Sequence, residues 1–172
     1  MSAKARWKMG FRKNESGVAA IEFAFLAFPF FVTIFALVEI SIVFAGELTL
    51  DNAVDRIGRE LRTGQMQMQQ PPPTREEFNA LVCENVSFLL DCSKLDIDLS
   101  VHADYGAIPG GPPMKDGAVD KGALNYDLGA GGQIMTLSVY YDWPIITHVL
   151  REQINGGNHL MSGVAAFQTE TF

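Results

Sequence analysis

Glu22 is the residue in this sequence that most needs a chemical explanation. It lies inside VAAIEFAFLAFPFFVTIFALVEISIVFA, a 28-residue apolar run from Val18 to Ala45 that holds no Lys or Arg. A carboxylate held in hydrocarbon costs on the order of 2–3 kcal/mol unless something neutralises it, so the residue either snorkels to the headgroups or meets a partner charge. A second acid, Glu39, lies 21 residues after Val18, about 32 Å along a helix and near the far interface, where its carboxylate is expected to reach water. Cys83 and Cys92 are nine residues apart. In an oxidising compartment they read as a disulfide closing a short loop; two free thiols in a small core are the alternative, and half a metal site lacks a nearby His. His102, His148 and His159 fall on a strand face, a short segment and a turn, and no HExxH, CxxC or Ser-His-Asp spacing connects them. Asp96, Asp98, Asp116, Asp120 and Asp127 invite calcium, but their spacing is not that of an EF-hand loop, and they read as a solvated surface. Gly129-Ala130-Gly131-Gly132 precedes a strand instead of linking a strand to a helix, so it is a loop and not a phosphate cradle. No catalytic residue, metal ligand or cofactor is expected.

The elements that must position these groups begin with the apolar run. About 20 apolar residues cross a bilayer as a helix, so Val18–Ala45 is long enough to span with tilt to spare. Lys4, Arg6, Lys8, Arg12 and Lys13 precede it and no basic residue follows until Arg56. The bias toward positive charge on the inner side then leaves the N-terminus cytoplasmic and exports the rest. A cleaved signal peptide ending at Val43-Phe44-Ala45 is the rival, but the run is about twice a normal signal core and carries Glu22. The helix is expected to continue to Thr63, since Leu50, Val54, Ile57 and Leu61 recur at spacings of four, three and four. That stripe packs on the protein's own domain or on sister subunits. Pro29 is expected to kink the helix, and Gly64 to stop it.

The exported part reads as α+β. Residues 64–75 form a Gln- and Pro-rich linker, stiffened by Pro71-Pro72-Pro73. Thr74 with Glu77 three residues on is a capping box that opens a helix to about Leu90, with Phe78, Leu81, Val82, Val86 and Leu89 on one side. Leu95, Ile97, Leu99 and Val101 alternate with Asp96, Asp98, Ser100 and His102 in a half-buried strand. Residues 106–132 carry no periodicity and read as a loop. Gln133 to Trp143 is a second strand, with Met135, Leu137, Val139, Tyr141 and Trp143 on one face. Pro144 ends it and opens a short helix through Arg151, residues 155–158 turn, and Leu160 to Phe172 is a last strand. Trp143 and the Tyr pair belong to core or sheet face.

The protein has 172 residues and a formal charge of −7. The first 17 residues carry five basic side chains and one acidic one, leaving an acidic body without the clustered Lys and Arg that phosphate contacts require, so a nucleic-acid partner is not expected. Residues outside the apolar run are too few for a barrel or a dinucleotide fold.

A basic leader, then Gly17, then Val18-Ala19-Ala20-Ile21-Glu22-Phe23, with Glu at the fifth apolar place and an aromatic at the sixth, resembles the type IV prepilin processing site. Ala20-Ile21-Glu22-Phe23-Ala24, Pro29 and Glu39 are similar to the TadE-like minor pseudopilins of the tight-adherence (Tad/Flp) pilus. So are Arg62-Thr63-Gly64-Gln65, Cys83 with Cys92, and the Tyr-x-Trp-Pro frame of Tyr141-Asp142-Trp143-Pro144. The resemblance implies a pseudopilin-like α+β fold: a long transmembrane helix and a small domain with a helix and a three- to four-stranded antiparallel sheet. It implies cleavage after Gly17 by a prepilin peptidase, with Val18 as the new amino terminus and Glu22, beside Phe23, as its charge partner in a neighbouring subunit. The physics agrees, since glycine fits a cramped cleft and paired charges are cheaper in lipid. The implied partners are that peptidase, other pilins or pseudopilins in a hetero-oligomer, and the bilayer of a bacterial inner membrane with the domain in the periplasm. The competing reading is an uncleaved single-pass anchor that displays a domain for calcium or glycan.

Overall fold

A computed structural model describes residues 17–146 and 158–172. Helix α1 runs unbroken from Val18 to Arg62, through Pro29. Two compact units divide it: one ends at Glu39, and the other spans Ile40 to Phe172.

In the first unit the helix presents its apolar side chains outward. Phe23, Phe25, Phe28 and Phe35 are all more than 60% exposed. This is the segment whose length and composition suit a membrane crossing. Glu39, expected to reach water, is only 7% exposed.

In the second unit, α1 supplies one wall of the core. Leu50, Val54, Ile57 and Leu61 are each 0–1% exposed and join Phe78, Leu99, Met135, Leu137 and Met161 in one cluster. The helix ends as the sequence requires: Gly64 takes φ +75, its N–H donates to the Leu61 carbonyl, and the Gln65 N–H donates to the Glu60 carbonyl. Those are the two bonds of a Schellman cap, which needs the left-handed conformation glycine tolerates. The ring of Phe172 lies where a Gly64 side chain would begin, so packing and conformation both demand glycine there.

Residues 64–75 do not behave as a linker between separate bodies. Met66 is 2% exposed, and the Gln67 amide donates to the carbonyls of Leu61 and Leu128. The core takes up Met66 alone of the two methionines; Met68 is exposed. Helix α2, Arg75–Val86, opens on the expected capping box: Glu77 N–H donates to Thr74 Oγ1, and Thr74 N–H donates to Glu77 Oε2 at 2.8 Å. It ends four residues before the expected Leu90, because a turn built on Val86 brings Leu90 into the core and leads to Cys92.

Strands β1 (Leu95–His102), β4 (Ile134–Pro144) and β5 (Asn158–Gln168) form an antiparallel sheet in the order β1-β4-β5. Residues 106–132, expected as an unstructured loop, contain a two-stranded ribbon, β2 (Met114–Lys115) and β3 (Ala118–Val119). Its turn residues Asp116 and Gly117 both have positive φ, 53 and 83, the Asp-Gly signature of a tight hairpin. The strand pairs are too short to show alternation. The same loop also bonds along β1: Leu99 N–H donates to the Asn125 carbonyl and Asp127 N–H to the Leu99 carbonyl. Pro144, expected to end the strand and open a short helix, is instead the last residue of β4, paired with Asn158, and Ile145 and Ile146 are not helical; the rest of that expected helix, with His148, and most of the 155–158 turn lie outside the described residues. The last strand stops at Gln168, after which Glu170 N–H donates to the Arg62 carbonyl and ties the tail to the end of α1.

Candidate functional site

The site the sequence singles out is the start of α1. Gly17 directly precedes the first helical residue, Val18, and nothing lies within 4 Å of where a Gly17 side chain would be. The bond between them is therefore unobstructed by the described residues. Glu22 follows Val18 by one turn, at the spacing where two groups share a helix face. It is exposed among exposed apolar neighbours, with Ile21 and Phe23 at 61% and 70%. No acid sits in the first turn of α1. Among the described residues the positive end of the helix dipole thus has no carboxylate closer than Glu22, and an amino group freed at Val18 would add to that positive potential. Chemically, the arrangement offers a carboxylate among apolar residues, one turn from a potential amine, with Phe23 next to it in the chain.

The structure places the other sequence-derived groups elsewhere. Cys83 of α2 and Cys92 form a disulfide with Cα atoms 5.4 Å apart. Tyr141 and Trp143 pack together on the core side of β4, ring centroids 6.1 Å apart. Of the acids of the 96–127 region, Asp96 pairs with Lys121 at 2.8 Å, Asp120 accepts from Gly122 N–H and Asp127 from Gly129 N–H, while Asp116 sits exposed in the β2–β3 turn. No group of three or more metal-ligating side chains occurs among the described residues. The histidines are not brought together: His102 contacts Thr136 at 2.8 Å, while His159 meets Glu47 at 2.7 Å.

Three shifts of acidity show how local contacts set charge in the domain. Glu77 is held below its ordinary value by the Thr74 backbone and hydroxyl hydrogen bonds. Asp91 is lowered likewise by the Ser93 hydroxyl and N–H. Asp51 moves the other way, raised by desolvation and then by the like charges of Asp55 and Glu47.

The described residues thus form a long N-terminal apolar helix, long and apolar enough to cross a membrane, followed by a small α+β domain. Residues 17–59 match the family model described as TadE-like protein. That stretch, a quarter of the chain, is similar to the TadE-like family, in keeping with the resemblance read at Glu22. No curated protein and no solved structure matches the chain.

The sequence alone did not single out the groove on the far side of the sheet. Its floor is made of Ser, Thr and Tyr side chains from alternate strand positions, of which the sequence reading placed only Tyr140 on the core or sheet face and gave the others no role.

Proposed function

We propose that this protein is a membrane-anchored minor pseudopilin of a Tad-type adhesive pilus, cut after Gly17 by a prepilin peptidase. In this reading the leader is cytoplasmic, residues 18–45 cross the inner membrane, and the domain from residue 76 onward lies in the periplasm. Its role is structural, in assembling or priming the fibre with other pilins or pseudopilins. One coincidence carries the reading: the match to the TadE-like family begins at Gly17, the residue immediately before α1. Leaving the membrane for a helical assembly exchanges lipid for protein around Phe23 to Phe44, and those exposed rings supply the apolar contacts. Glu22 then answers the new amino group of an adjacent subunit, which neutralises two charges in one contact.

Mass spectrometry of the protein recovered from cells that express their own prepilin peptidase tests this directly. A mature chain that begins at Val18, and a longer chain for Gly17→Leu, are the expected results. A wild-type protein that keeps its basic leader rules the proposal out.

A further inference from the structure

The sheet has two unlike faces. One carries the apolar side chains that meet α1. The other carries Ser100, Thr136, Ser138 and Tyr140, each no more than 9% exposed. Over this second face the segment Ile108–Pro113 forms a wall, and together they enclose a groove of about 760 Å³, within the range of small-ligand sites.

The floor's hydrogen bonds are only partly spent. Asp98 is used up: its carboxylate accepts from the Ser100 hydroxyl at 2.9 Å and from the Asn125 N–H at 2.6 Å. His102 is engaged with Thr136. Ser138 and Tyr140, at 6% and 4% exposure, have no hydrogen-bond partner among the described residues. Register places the two on the central strand, Ser138 opposite Asp98 and Val164, and Tyr140 opposite Asp96 and Ser162. Neither hydroxyl is sealed from solvent, so both face the groove and are open to hydrogen bonding by whatever enters it.

We propose that this groove binds a short neutral oligosaccharide. Among the described residues no Lys or Arg lines it, so they provide no fixed cation to hold phosphate or carboxylate. Its polar groups are mostly hydroxyls, which donate and accept at once and so match ligands dense in hydroxyls. The wall and rim add apolar surface from Ile108, Pro109, Pro112 and Val164, against which the C–H face of a sugar ring can lie. A peptide strand is less well suited. The backbone groups of β4 are already committed to β1 and β5, so a peptide on this face finds side chains but no open ladder.

The experiment uses the full chain in lipid nanodiscs, free of sugar-based detergent. Maltotriose, cellotriose and triacetylchitotriose are titrated by calorimetry and by ligand-observed NMR. Saturable binding of at least one is expected below about 10 mM, weakened about five- to ten-fold by Tyr140→Phe and by Ser138→Ala, each of which deletes one hydrogen bond. Both changes remove only a hydroxyl, and circular dichroism checks that the fold is kept. Absence of saturable binding for all three sugars, binding indifferent to both substitutions, or a groove protected instead by a neighbouring subunit's peptide segment in cross-linking overturns the proposal. None of these outcomes depends on whether Gly17 is cleaved.

Discussion

Gly163 of β5 lies against Val54 of α1 so closely that a side-chain carbon built on the glycine would sit 3.0 Å from Val54 Cγ2 and 3.3 Å from the Leu50 carbonyl oxygen. The strand rests directly on the helix backbone here, and the core of the second unit is closed by that contact. Gly58 repeats the arrangement from the helix side, where a Cβ would lie 3.3 Å from that of Ala165. Gly163→Val should therefore destabilise the domain by about 2 kcal/mol or more, because a helix carbonyl cannot move aside as a side chain can. Gly163→Ala should cost less. Thermal unfolding of the full chain in detergent measures both, and an unchanged midpoint for the valine variant would contradict the packing described.

The Cys83–Cys92 bond pins the turn that follows α2. On the chain-entropy account a loop this short contributes roughly 2.5 kcal/mol, so the double serine variant should unfold at clearly lower denaturant. A reducing agent should lower the stability of the wild type and leave that variant where it was.

Acid stability is set by opposing carboxylates. Glu77 and Asp91 have depressed acidities in the fold, so what they contribute is present above their unfolded values and lost as pH falls through the folded ones. Asp51 is raised, so its ionised form opposes folding, and stability falls as pH rises through its folded value. Asp51→Asn should therefore raise the melting temperature at neutral pH and make no difference in strong acid. Glu77→Gln should flatten the loss of stability below the ordinary glutamate value of 4.5. Circular dichroism melts across pH give both slopes, and parallel curves for all three proteins would count against these assignments.

The Thr74 hydroxyl accepts the Glu77 N–H at the start of α2, and Thr74→Ala should cost about 1 kcal/mol. Serine in its place should restore most of that, since it offers the same oxygen. A chemical denaturation series of the three proteins is sufficient.

If Glu22 answers the amino group of a neighbour, Glu22→Gln should leave membrane insertion intact and reduce pilus assembly by an order of magnitude or more. Fractionation and pilus counts on the same cells separate the two. Normal piliation with glutamine at this position would remove the charge pairing from the proposed mechanism.

The parts of this protein legible in its sequence are those written in local repeats. An unbroken apolar run gave α1, the spacing of Leu50, Val54, Ile57 and Leu61 gave its core-facing side, and alternation gave β1 and β4. Thr74 with Glu77 gave the start of α2, since a cap needs only residues three apart. Helix period, strand period and capping are all set by neighbours along the chain, so a sequence displays them directly. What the chain fold alone decided are meetings between distant residues: Gly163 on Val54, the tail bond from Glu170 to Arg62, Gln67 on Leu128, and the shared floor of Ser138 and Tyr140 beneath Ile108–Pro113. Each joins residues tens of positions apart whose types look ordinary one at a time. A serine on the outer side of a strand reads as solvated until another segment closes over it, and only tertiary packing determines whether one does.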